Sequence, residues 1–143
     1  MSDYRVLVTG SREWDDDPLL CTTLAMATQE PGCGERSSNV VIVHGACPRG
    51  ADKTADIWAR NHGIRTEPHP ADWNGYGKQA GFIRNAEMVS LGADLCLAFY
   101  WRGAGNKGTE HCARLAESAS IPVRRIIGND PVARTFSATP EEG

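Results

Sequence analysis

Leu95-Cys96-Leu97-Ala98-Phe99, followed by Gly103-Ala104-Gly105-Asn106-Lys107-Gly108-Thr109 and then Glu110-His111-Cys112-Ala113-Arg114-Leu115-Ala116-Glu117, is the stretch that decides the fold. The first piece is apolar without alternation, the pattern of a strand covered on both faces. The second is a glycine-rich turn, and the third has a helical pattern. Such a strand, turn and helix form a phosphate site in outline. Backbone N–H groups point outward at the helix start, the macrodipole favours an anion, and glycines allow close approach.

The same grammar recurs along the chain. Strands are expected over 5–9, 40–43, 65–68, 95–99 and 123–127. Helices are expected over 18–29, 50–62, 79–91 and from about 110, with loops over 30–39 and 71–78. Asp15 to Asp17 suit the start of the first helix. Ala51, Ala55, Trp58 and Ala59 form one apolar stripe on the second. Five strands alternating with four helices predict an α/β fold: a single Rossmann-like domain, doubly wound, with a mainly parallel five-stranded sheet, helices on both faces and right-handed crossovers. The domain is expected over 1–127, with a loose tail over 128–143. Three glycine-bearing turns, Gly10-Ser11-Arg12, His44-Gly45 and Gly103 to Gly108, follow strands and should gather on one rim. Ligands bind there in such sheets.

Bulk properties narrow the class. The chain has 143 residues, 41% of them hydrophobic, and a net charge of −3, enough for one domain with its own core. A pI near 5.8 argues against a nucleic-acid partner, which calls for a basic face. The five cysteines are odd in number and show no C-x-x-C spacing, as reduced thiols do in a cytoplasmic protein. No apolar run reaches the roughly 20 residues of a membrane span. The N-terminus has no signal-peptide charge pattern. The expected location is the cytoplasm, with no membrane partner.

Candidate site residues follow from these turns. Gly103, Gly105 and Gly108 satisfy G-x-G-x-x-G, but Arg124-Arg125 stands where a dinucleotide site needs an acid. A phosphate or nucleotide site at Gly105, Lys107, Gly108 and Thr109 is the better reading. Gly10, Ser11 and Arg12 offer backbone donors, a hydroxyl and a guanidinium that suits a planar anion. Glu13 and Trp14 either pack against a base or cover the sheet rim. Gly45 opens a second turn into a helix. Asp52, in that helix's first turn, either accepts from ribose hydroxyls or only favours the dipole. His44 and Cys47 lack further ligands at suitable spacing, so no metal and no cofactor are expected. Arg84 and Asn85 fall early in the third helix, with Met88 and Leu91 marking its core stripe. Arg84 then needs a partner, either a ligand or an acid such as Glu110.

Several of these pieces occur in order in a known group. Val6-Leu7-Val8-Thr9-Gly10-Ser11-Arg12, His44-Gly45 with Arg49-Gly50-Ala51-Asp52, Ala71-Asp72-Trp73, Gly77-Lys78 with Ala80-Gly81, Ile83-Arg84-Asn85, and Gly108-Thr109 resemble the SLOG superfamily. That superfamily groups the DprA/SMF proteins with the Lonely-guy phosphoribohydrolases, and the nearer likeness is to its YspA-like, YpsA-related branch, common in bacteria and phages. The resemblance implies a Rossmann-like fold and a nucleotide-derived ligand. Lonely-guy enzymes cleave the N-glycosidic bond of nucleoside 5′-monophosphates with a P-G-G-x-G-T-x-x-E turn and an arginine on a preceding helix. By that likeness Gly105, Gly108 and Thr109 hold the 5′-phosphate and Arg84 takes the arginine's place. The position three after Thr109, glutamate in those enzymes, is Cys112 here. A homodimer is implied by the same likeness.

The expected function is therefore binding of a nucleotide or phosphoribosyl ligand, as a sensing or sequestering module. The first alternative is a phosphoribohydrolase using Arg84 with Glu110, Asp52 or Glu13 as the acid. Cleavage builds positive charge on the sugar, which a carboxylate stabilises and a neutral thiol does not. The second alternative is a DprA-like contact with single-stranded DNA, against which the acidic pI counts.

Overall fold

Three apolar strands lie side by side at the centre of the chain's computed structural model, which describes residues 3–29 and 39–130. They are β1 (Tyr4–Gly10), β2 (Val40–His44) and β4 (Leu95–Trp101), flanked by β3 (Arg65–Pro68) and β5 (Val123–Gly128). The order is β3-β2-β1-β4-β5, and every pair is parallel. β2 is buried at every residue, as its unbroken apolar run requires. Most of the sheet's charge lies on the edge strands, Arg65 and Glu67 on one side and Arg124 and Arg125 on the other, which suits strands with an unpaired flank.

Alternate side chains of the central strands feed two cores. Val6, Val8, Ile42, Leu97 and Phe99 pack with Leu20 and Leu24 of α1 (Asp17–Ala27) and Ala55 and Trp58 of α2 (Ala51–Asn61). Leu7, Val41, Val43 and Cys96 pack with Met88 and Val89 of α4 (Ala80–Ser90) and Cys112 and Ala116 of α5 (Lys107–Ser118). A short helix, α3 (Trp73–Tyr76), and a 3₁₀ turn over Gly77–Gln79 precede α4.

Differences from the sequence expectation are local. The loop expected over 71–78 contains α3, because Asp72 caps the turn by accepting the Gly75 N–H at 2.9 Å. Leu91 is 58% exposed rather than part of a core stripe. Asn85, Met88 and Val89 form that stripe, and Leu91 lies about 200° round the helix from Val89. The last strand takes in Gly128, which packs against Trp14 and Trp101. Residues 30–38 of the expected loop, Cys33 among them, and 131–143 of the expected tail lie outside the described residues. Among the described residues no helix is long and apolar enough to cross a membrane.

The chain reverses between β1 and β4: everything before β4 builds outward through β2 and β3, and everything after it builds the other way. The carboxyl ends of β1 and β4 therefore diverge into a crevice. One glycine holds the α2 side of this crevice closed up. Gly50 has φ +80°, and a Cβ there would meet the Ser11 carbonyl and come within 2.6 Å of the Arg12 Cα. At Gly63, φ +67°, an added Cβ would meet none of the described residues within 4 Å. Gly63→Ala should thus cost about 1–2 kcal/mol, the left-handed strain alone. Gly50→Ala should cost about 3 kcal/mol or more, because strain and overlap add. Urea unfolding of the two variants checks the difference, and equal losses would contradict the tight approach.

Candidate functional site

Asn106 organises the turn that enters α5. It adopts a left-handed φ of 53°, a conformation its short amide tolerates. Its side chain ignores the helix. Oδ1 accepts from the Trp101 N–H at 3.0 Å, and Nδ2 donates to the Trp101 and Ala104 carbonyls at 2.9 and 3.1 Å. The first helical bond is Glu110 N–H to Asn106 carbonyl at 3.0 Å. The N–H groups of Lys107, Gly108 and Thr109 precede it, at the positive end of the helix with no side-chain cap. Among the described residues, a Cβ added at Gly105 or Gly108 would meet nothing within 4 Å. Those glycines are not demanded by internal packing; the space beside them is open.

That space is a cleft of about 740 Å³ at the carboxyl ends of the strands, within the usual range for a small-molecule site. Its wall brings together Gly10, Ser11, Arg12, Gly45, Asp52, Arg84, Gly105, Lys107, Gly108 and Thr109, each singled out in the sequence. The wall carries four cations, Arg12, Lys78, Arg84 and Lys107, against two acids, Glu13 and Asp52. This local balance is the reverse of the chain's net −3, and a cleft of one sign concentrates the opposite sign of ligand.

Arg84 is held by backbone. It donates to the Gly45 carbonyl, more weakly to the His69 carbonyl at 3.4 Å, and through Nε to Asn85 Oδ1 at 2.9 Å. Its partner is thus not Glu110. A Cβ on Gly45 would lie 2.7 Å from the Arg84 guanidinium carbon, so glycine is required for this contact. Buried Asn85 uses its amide to donate to the Gly108 carbonyl and to His111 Nδ1, both at 3.2 Å, tying α4 to the glycine-rich turn.

Asp52 is the buried acid of the cleft, 6% exposed. Its Oδ2 accepts from the N–H groups of Gly45 and Cys47 at 3.2 and 3.4 Å, while buried Oδ1 has no partner among the described residues. Burial pushes its carboxyl up, against the opposing pull of His44 and Arg84. Beneath it, His44 Nδ1 accepts the Ala46 N–H at 3.0 Å, leaving Nε2 as the ring's donor to Asp56 Oδ1 at 2.8 Å. This braces the turn in which Ala46 sits at φ 58°.

The family enters at this point. A family model described as "YspA, cpYpsA-related SLOG family" matches residues 4–76, which carry β1 through α3. The chain belongs to this family. Gene 61 protein of Mycobacterium phage D29 is 46% identical to it over 124 residues, 83% of this chain and 93% of the phage protein. No solved structure matches significantly.

Two acids considered for this SLOG protein are engaged with other side chains. Glu110 does not line the cleft. It accepts from the Tyr100 hydroxyl, from Arg114 Nε at 2.7 Å and from Arg125 Nε at 3.4 Å, and these bonds, Tyr100's first, hold its carboxyl down at about 2. One residue on from cleft-lining Thr109, it is turned about 100° toward β5. Glu13 is at the exposed rim, paired with Arg49 at 3.0 Å. Trp14 covers the sheet rim, edge-on to Phe99 and Trp101 at 5.1 and 5.5 Å. Cys112 is fully buried in the α4–α5 core, and burial pushes its thiol up to about 11. It is neutral and faces no cleft. Asn85, Asn106, Lys78 and Trp73 belong to the site's surroundings but were not among the site residues read from sequence. The left-handed preference of asparagine within Gly-Asn-Lys-Gly was the available signal for Asn106.

A buried acid with a raised pKa stays protonated in the folded chain over a range where the unfolded chain has ionised. Stability then falls as pH rises from the ordinary carboxylate range toward neutrality. Asp52→Asn keeps an acceptor for both N–H groups and removes this fall. The variant should gain stability over the parent as pH goes from 4 to 7, read by urea titration at each pH. A gap that shrinks over that interval would contradict the carboxyl's placement.

Proposed function

We propose that this protein binds a nucleotide or phosphoribosyl compound in the cleft, with the ligand's phosphate on the N–H groups of Lys107, Gly108 and Thr109. The observation that carries the reading is the open space at Gly105 and Gly108, directly before an uncapped helix start and within a cationic wall. Lys107, Arg12 and Lys78 supply the counter-charge. Arg84, held by the carbonyls of Gly45 and His69, fixes the opposite wall. Membership of the SLOG family supports a nucleotide-type ligand.

A second reading, hydrolysis of the N-glycosidic bond, is favoured by Asp52. It is the buried carboxyl of the cleft wall, and one of its oxygens has no partner among the described residues. In that role its ionised form, favoured by the nearby Arg84 charge, would stabilise the sugar's developing charge, the task for which Glu110 is turned away and Cys112 is neutral.

Titration with AMP, adenosine and inorganic phosphate tests binding. AMP at a hundredfold excess over its Kd should stabilise the fold by about 2.7 kcal/mol, and adenosine should bind at least about tenfold more weakly. Gly108→Ala should leave unfolding stability unchanged or slightly raised, since alanine suits a helix better. It should weaken AMP binding about tenfold or more, because its methyl takes the phosphate's space. Unaltered AMP affinity in that variant sinks the proposed phosphate position.

Free base released from AMP decides the second reading. Release by the parent but not by Asp52→Asn, with AMP binding retained, supports it. Binding without release excludes AMP as a substrate.

A further inference from the structure

Trp73 is placed where packing does not explain it. It is 48% exposed in a segment exposed throughout from Asp72 to Gln79, yet it lines the cleft. α3 follows β3, three strand spacings from β4, or about 14 Å along the rim. Even so, the guanidinium of Arg12, which follows β1, lies over the Trp73 ring with its carbon 5.5 Å from the centroid. The indole therefore leans back across the β2 turn toward the crevice. Its far edge rests on the start of α4, where a Cβ on Gly81 would lie 3.3 Å from the ring and 3.7 Å from Arg84 Nη2. The ring thus sits between Arg12 and the Gly81–Arg84 corner, with much of its surface open to water.

A half-exposed indole faced by a guanidinium on a ligand cleft has the chemistry of a base-stacking platform. Every nucleobase has a π-face, and stacking on tryptophan together with a cation is sequence-tolerant and strong. The other aromatic ring on the cleft wall, Phe82, already packs against His111 at 4.5 Å. We infer that Trp73, with Arg12, stacks the base of the bound ligand, so that the cleft takes a nucleotide, purine before pyrimidine, rather than a bare phosphosugar. This rests on the phosphate position proposed above and names the group at the other end of that ligand. The base enters between the indole and the Arg12 guanidinium, which backs away from the ring to cover the base's other face. The larger ring system of a purine covers more of the indole, which sets the order of preference.

The test is equilibrium binding of AMP, UMP and ribose 5-phosphate at fixed salt to the full chain and to Trp73→Ala and Trp73→Phe. The parent should bind AMP about five- to hundredfold more tightly than ribose 5-phosphate, the range of a single base stack, with UMP between them. Trp73→Ala should remove most of that advantage and leave ribose 5-phosphate unchanged, and Trp73→Phe should restore most of it. Circular dichroism confirms that the exposed substitution leaves the fold intact. If ribose 5-phosphate matches AMP in the parent, the platform is wrong and the phosphate position stands. If Trp73→Ala weakens both ligands equally, the residue only shapes the cleft and the platform is again wrong. If none of the three binds, the phosphate position fails and the platform falls with it.

Discussion

Ser11 knots three loops together. Its N–H donates to the Phe99 carbonyl at the end of β4, at 2.9 Å, and its carbonyl accepts the Ala51 N–H at the start of α2, at 3.1 Å. The first bond fixes the β1 turn against β4, and the second fixes it against the helix that carries Asp52. Both need a missing side chain: a Cβ on Gly10 would lie 2.5 Å from that of Ala51, and Gly50 allows the approach from the other side. The width of the cleft follows from these contacts, because the walls at Arg12, Asp52 and Gly105 hang from the three segments that Ser11 joins.

The fold was legible because its central strands state their environment. Val40-Val41-Ile42-Val43 and Leu95 to Phe99 have no polar face, which only a sheet covered on both sides satisfies. The glycine turns were legible for a related reason: each interrupts an apolar run where a helix must begin, so their gathering on one rim follows from parallel topology. Side-chain direction within a helix was less accessible. Leu91 looked like core by its spacing, with Met88, from Arg84, whereas the buried stripe takes in Asn85, a polar residue that no hydrophobic pattern marks. Glu110 looked available by proximity in sequence. Tyr100 and Arg125, which claim it, lie on two different strands, and that pairing exists only once β4 and β5 are side by side.

The cleft's charge runs against the charge of the molecule. An acidic chain that gathers Arg12, Lys78, Arg84 and Lys107 around one opening repels anions at long range and attracts them at short range. Salt damps the outer repulsion beyond roughly 8–10 Å and affects buried groups less. Acids outside the cleft wall are paired with cations that also lie outside it. Glu67 is drawn down to about 2 by its bidentate bond with Arg5, and Glu117 pairs with Arg125 at 2.8 Å.

Asn106 gives the site its stiffness. Its three side-chain bonds close the turn on itself before any ligand arrives. The donors that follow are ordered during folding, so the anion proposed for this turn would lose little of its affinity to arranging them. On the proposed reading, the cleft would select by fit into a largely fixed cast. Its preferences should be written in the outline of the ligand and survive cooling, crowding or changes in solvent viscosity that would slow a closing lid.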